Sequence, residues 1–351
     1  EGTFSKNIHA ITQYDANIDE TKTSRLDGPD NRKYYAGATA ERIHENINYA
    51  VVMTNTSRGY TALFSTQLKA KPFRWLDLMA AYTYTYARTL NNNASNQEEK
   101  ALAGLPTVNG LNDTSLGGMR GLASPGRLMG MATFRHEYNK HNAISVTLFY
   151  EGRHGGCGSF MYANDLNNDG YTNDLLYIPA SKDELLFADK KVGERTFTAD
   201  EQREAFWAFV NQDPYLSRHK GEYAKGFTAY TPWYNRFDLH VTREFRLKVG
   251  SAMNRLQLNI DLLNVGNLLK TTWGVAKTYI GGALTPLRLA HYQTKETTVG
   301  GQTVTQRQPV YEMSSYTDND GETKLFYKSF DYNYNTSQCW QLQLGVRYIF
   351  N

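Results

Sequence analysis

The chain has 351 residues, a net charge of +3 at pH 7 and a mean hydropathy of −0.58. No stretch approaches the roughly 18 apolar residues of a membrane-crossing helix, and neither the charge nor any Lys/Arg cluster supports nucleic-acid binding. Two cysteines, Cys157 and Cys339, exclude a disulfide scaffold and a cysteine zinc site and leave one disulfide open.

Aromatic content is high, with 25 Tyr, 16 Phe and 5 Trp, residues that suit strands and water–lipid boundaries. In chain order, the opening phrase GTFSKNIHAITQY reads as a strand over 2–14. It is entered part-way, as a piece of a longer protein would be. The next strand, 47–71, sets Tyr60, Ala62, Phe64 and Leu68 against Thr61, Ser65, Gln67 and Lys69. Over 75–88, Leu76, Leu78, Ala80, Tyr82, Tyr84 and Tyr86 share a face. The pattern is weaker over 127–138. Over 143–153, Ile144, Val146, Leu148 and Tyr150 oppose Ser145, Thr147 and Glu151. The strands 235–249 and 254–264 set Leu239, Val241, Leu258 and Ile260 against His240, Thr242, Glu244, Gln257, Asn259 and Asp261. The last, 338–350, places Trp340, Leu342, Leu344, Val346, Tyr348 and Phe350 on one side and Gln341, Gln343, Gly345 and Arg347 on the other, with Ile349 the exception. A period of two assigns one set to each face of a strand.

Short and long connections alternate between these strands. KPFRW, EYNKHN and VGSAMNR are tight, whereas about 15–46, 89–125, 153–234 and 265–337 are long and polar. In an antiparallel meander, successive connections lie at opposite ends of the sheet. Loops beyond about 15 residues are uncommon in compact soluble domains, while outer-membrane barrels pair short periplasmic turns with long external loops. The expected fold is therefore all-β: about eight antiparallel strands forming the C-terminal portion of a large transmembrane β-barrel, with one short helix in an external loop. A sheet edge exposed to lipid would strand backbone donors and acceptors, so such a sheet must close.

Two stretches in the loops invite a chemical reading. In DLNNDGYTND, Asp165, Asn167 and Asp169 occupy positions 1, 3 and 5 of a calcium loop, Gly170 position 6, Tyr171 position 7 and Asn173 position 9. Position 12 is Leu176 rather than Glu, so Asp174 would have to bend back in its place. Either calcium orders this turn or it is an Asx-rich turn without an ion. YTDNDGE, 316–322, is a shorter echo and reads as a turn. In TADEQREAFWAFVNQDP, Thr198 and Glu201 form a capping box and Pro214 follows the end. Ala205, Phe206, Phe209 and Val210 make one apolar stripe, predicting a short helix on the external face, packed on its own loops or, as the alternative, against a surface partner.

No catalytic pattern is present: no HExxH, GxSxG or Walker loop. The histidines are scattered, and glycine-rich GRHGGCG precedes no helix. The expectation is a protein that is not an enzyme.

Taken together and in order, EGRHGG, DLNNDGYTNDLLYIP, FTADEQREAFWAFVNQDPYLSRHKGEYA, PWYNRFDLHV, LNIDLLNVGNLLKTTWGV and QLQLGVRYIFN resemble the C-terminal half of TonB-dependent outer-membrane receptors of the Oar-like type, found in Bacteroidetes-like bacteria. The resemblance covers most of the chain from about residue 46. It implies a plugged barrel of about twenty-two strands, of which this chain supplies roughly the last eight. A carboxypeptidase-regulatory-like domain, the plug and the TonB-contacting segment would lie upstream. It further implies outer-membrane lipid around the wall, energy through TonB, and external loops that meet an unidentified large or scarce solute first. The barrel-assembly machinery would read the last strand, Trp340, Leu342, Leu344, Val346, Tyr348 and Phe350, with Phe350 as its aromatic anchor. Two other classes stay open: a secreted, soluble β-rich adhesin or glycan-binding module, and a passive porin.

Overall fold

Residues 1–37, 41–90, 98–250, 252–299, 302–318 and 320–350 are described in the structure, a computed structural model. The alternating segments pair into one eight-stranded sheet. Its strands are β1 (Gly2–Lys6), β2 (Tyr60–Phe73), β3 (Leu76–Arg88), β4 (Gly126–Asn139), β5 (Asn142–His154), β6 (Trp233–Val249), β7 (Ala252–Leu263) and β8 (Gln341–Ile349). Each pairs antiparallel with its neighbours in chain order. The sheet is an open meander, with β1 and β8 at its edges, and no closed barrel is seen.

The tight connections lie at one end, between β2 and β3, β4 and β5, and β6 and β7. Gly250, in the last of these, sits at φ +62°, a left-handed conformation that favours glycine. All the long connections lie at the other end. The expected strand over 2–14 is interrupted: β1 stops at Lys6, and Ala10–Asp15 pairs with Val51–Thr56 in a separate ladder. Gly2 faces Phe64 and Ala10 faces Thr56, so both ladders keep one register. The break is held by Asn7, whose backbone N–H donates to the Gly59 carbonyl at 3.1 Å and whose side chain donates to that of Arg58 at 3.3 Å.

Pairing fixes which residues share a face. Leu78, Ala132, Leu148, Leu239, Leu262 and Leu342 stand in one row across the sheet. Among the described residues no second layer covers the middle of this apolar face: Leu258 is 39% and Leu344 70% exposed. Val241 is half-buried.

Most of the protein's buried core lies elsewhere. Among the buried hydrophobic side chains, the sheet contributes only Ala81, Ala87 and Ala143. The remainder come from the long connections, which fold together at the loop end into a cap. Leu26 and Tyr34 from the first loop meet Phe160, Tyr162, Leu176 and Ile178 from the third and Leu287, Tyr311, Met313 and Phe326 from the fourth. The fourth connection is not an open polar loop. It contains a long hairpin, Leu287–Val299 with Gln302–Met313, whose second strand also pairs parallel with Leu186–Phe187. The expected helix forms over Ala199–Gln212 with both arms of its capping box present. It buries Gln202, Phe206, Phe209 and Val210. Gln202 ties helix to hairpin: its amide donates to the carbonyls of Ala188 (2.7 Å) and Phe197 (3.0 Å), and its oxygen accepts from the Met313 N–H (2.9 Å).

Candidate functional site

Three surfaces carry the chemistry: the two faces of the sheet and the acidic loop inside the cap.

The polar face is cross-linked. His240 pairs with Asp261, Thr242 donates to Asn259 at 2.8 Å, and Gln257 donates to Glu244 at 2.7 Å. Arg246 reaches both Glu244 and Glu137, while Glu151 takes Arg127 at 2.6 Å and Arg153 at 3.3 Å. His240, Thr242, Glu244, Gln257, Asn259 and Asp261 thus all fall on one face, as the alternation requires. Opposite charges on neighbouring strands satisfy one another, so this face suits contact with water and polar solutes rather than hydrocarbon.

On the apolar face, aromatic rings gather at both ends. Near the tight turns Phe73 stacks on Trp75 (4.9 Å between centroids, 3° between planes), and Trp75 meets Phe134 edge-on at 5.5 Å. Arg243, a charge on this face, lays its guanidinium over Tyr138 at 4.7 Å and Phe245 at 5.4 Å. Near the loops, Tyr60 packs on Tyr86, Tyr150 on Phe237 and Trp233 on His154. Tyr82 and Tyr84 lie in the same row of β3. In the last strand Leu342, Leu344, Val346 and Tyr348 line the apolar face of β8, flanked by Trp340 and Phe350. All six are exposed.

The acidic loop is built from Asx turns. The Asp165 carboxylate accepts from the N–H groups of Asn168 (2.6 Å) and Gly170 (2.8 Å), and Asn167 accepts from Asp169 N–H (3.0 Å). Asp169 accepts from Tyr171 N–H at 2.9 Å and from the Asn167 amide at 3.2 Å. Gly170 has φ +93° and Asn168 φ +63°, which gives the sharp turn expected at Gly170. Asn173 donates to the Leu105 carbonyl at 2.8 Å. Leu176, at position 12, is buried in the cap core.

Asp174 does not bend back into the loop's centre alone. One of its oxygens accepts from the Leu166 N–H at 2.8 Å, and the other takes the Arg32 guanidinium at 3.0 Å. Arg32 is fully buried, pairs also with Asp30 at 2.8 Å, and lies over Tyr162 at 5.0 Å and Tyr223 at 5.5 Å. Burial pulls the Arg32 pKa down, but Asp30 and Asp174 outweigh it and hold the guanidinium more basic than usual. Burial pushes the Asp169 carboxyl up to about 7, with Asp174 and Asp165 adding to the rise. Burial likewise raises Asp174 to about 6 against the pull of Arg32, and raises Asp165.

Among the described residues no group of three or more His, Cys, Asp or Glu side chains is gathered as a metal centre. The Asx turns of this loop are formed, and Arg32 supplies countercharge to Asp174. The echo at 316–322 is a hairpin turn in which Asp318 accepts from the backbone of Asp320 and Glu322. Cys157 and Cys339 are both free thiols, so the disulfide left open by the sequence is not formed.

Arg32 and Asp30 had no signal in the sequence. Arg32 lies 142 residues from Asp174, and only the folding of the first loop onto the third brings the two together.

Comparisons with family models, with curated proteins and with solved structures return no match.

Proposed function

We propose that the chain forms wall and external loops of a TonB-dependent outer-membrane receptor that takes up a large or scarce solute and catalyses no reaction. One observation carries the reading: a continuous apolar face, uncovered by the chain and bordered at both ends by aromatic rings. A water-soluble protein rarely exposes apolar patches beyond a few hundred Å², whereas hydrocarbon covers such a face without cost. Trp75, in the turn just before β3, and Tyr84, within it, lie nine residues apart. That is about 30 Å along a strand and about 23 Å across a bilayer at a tilt of about 40°, close to the apolar band of outer-membrane barrels.

In this reading the cross-linked polar face lines the lumen, the cap faces outward, and the tight turns face the periplasm. Trp340 to Phe350 would present the assembly signal, and TonB would act through parts of the receptor outside this chain. A secreted adhesin would need the apolar face covered in its working form. Fractionation separates the two: the receptor leaves bacterial envelopes only with detergent. Release of the folded protein by salt or urea washing alone would overturn the proposal.

A further inference from the structure

A cavity of about 400 Å³ stands at the loop end of β3 and β5. Tyr84, Tyr86, Arg88 and His154 line it from the apolar face of the sheet, and Arg218, His219 and Lys225 from the third loop. No carboxylate is among its lining residues. Arg88 lies over the Tyr86 ring at 4.4 Å and donates to the Ala87 carbonyl at 3.1 Å. His219 is held by the Tyr215 carbonyl at 2.8 Å and stacks on the Tyr215 ring at 4.3 Å. The charged ends of Arg218 and Lys225 have no ion pair or hydrogen bond among the described residues.

Three cationic side chains, Arg88, Arg218 and Lys225, line one aromatic-floored cavity, and an anion placed there could take charge-assisted hydrogen bonds from them. The chemistry of the floor narrows the choice of anion. It continues directly into the uncovered apolar face, so the site offers cations above and a greasy surface below. A free anion would meet only the upper half.

We propose that this cavity binds the phosphate-monoester headgroup of a membrane lipid whose acyl chains lie along the apolar face. The proposal rests on the membrane reading above. Arginine matches phosphate with a planar fork, lysine with a point charge, and the aromatic rings suit the level where headgroup meets chain.

The test uses the full-length protein in nanodiscs of zwitterionic lipid, with a phosphorylated glycolipid added in one arm and its phosphatase-treated form in another. A third arm holds inorganic phosphate alone. The phosphorylated lipid should bind about ten-fold or more tightly than the dephosphorylated one. The double variant Arg218→Gln/Lys225→Gln, which alters only the cap, should abolish that difference while the wall still inserts. Arg88→Gln should weaken binding in the same direction. Equal binding of both lipids, or an unchanged preference in the double variant, overturns the site. Inorganic phosphate binding as tightly as the lipid overturns the lipid as its occupant. Failure of the wild-type protein to enter nanodiscs counts against the membrane reading instead.

Discussion

The wall and the cap use apolar residues in opposite ways. In the wall, leucines and valines alternate with polar residues and stay exposed or half-buried: Val346 is 73% and Leu342 51% accessible. In the cap, sequence that reads as polar loop supplies Phe160, Leu166, Leu176, Phe209 and Leu216, all fully buried. Hydropathy along the chain therefore does not tell core from surface here. What does is the partner each apolar group meets. In the cap it meets other parts of the chain on all sides, and in the wall it meets chiefly its neighbours on the same sheet face.

That contrast can be broken first at its most buried charge. Arg32→Leu leaves Asp30 and Asp174 buried without a counter-ion, and losing one partner of such a pair costs about 3–5 kcal/mol. The cap should become protease-sensitive while the wall survives, as limited proteolysis in detergent would read. Cleavage in the wall at the same rate would mean that the two regions do not fold separately. Next comes charge on the sheet. On the proposed membrane reading, Arg in place of Leu258 or Leu344 should cost about 2–4 kcal/mol near a bilayer's midplane and lower the amount of protein recovered in the membrane fraction. Arg at Gln257 or Gln343 should be tolerated. Equal loss at both pairs would contradict the face assignment.

A smaller effect is expected at the helix. Gln202→Leu strands the Met313 N–H and the Ala188 carbonyl, a loss of about 1–3 kcal/mol. It should lower the cap's thermal midpoint without changing membrane insertion. The mildest probe is pH. The folded cap holds the Asp169 proton more tightly than an unfolded chain would, up to about 7 against a usual 3.8. This group therefore favours the folded cap most strongly below about pH 4, and that contribution is lost as pH rises through about 7. Asp169→Asn should flatten this slope between pH 5 and pH 8 in a thermal-shift series. An unchanged slope would assign the pH response to another group.

The wall was readable from the sequence because its rule is local. Two residues per repeat place Leu256, Leu258 and Ile260 on one side whatever else the protein does. The tight turns and the Thr198–Glu201 capping box are equally local. The cap was not readable, since its core is assembled from several loops far apart in the chain and no short window contains the pattern. The hairpin over Leu287–Val299 and Gln302–Met313 is a partial exception. Gly300 and Gly301 between two alternating runs are a turn signal, set within a stretch that reads as one long polar loop over 265–337. At the acidic loop the spacing of Asp165, Asn167, Asp169 and Gly170 predicted the turn correctly. Spacing carried no word of Arg32, which takes the carboxylate of Asp174.

The shared core of the cap has a mechanical consequence. Independent loops around a pore could swing aside one at a time, each gating its own sector. Loops that interleave Leu26, Phe160 and Tyr311 in one interior are locked together, and displacing any of them drags the others or exposes their common interior to water. If the chain is the receptor wall proposed above, a solute passing the cap would have to lift it as a unit or skirt its rim.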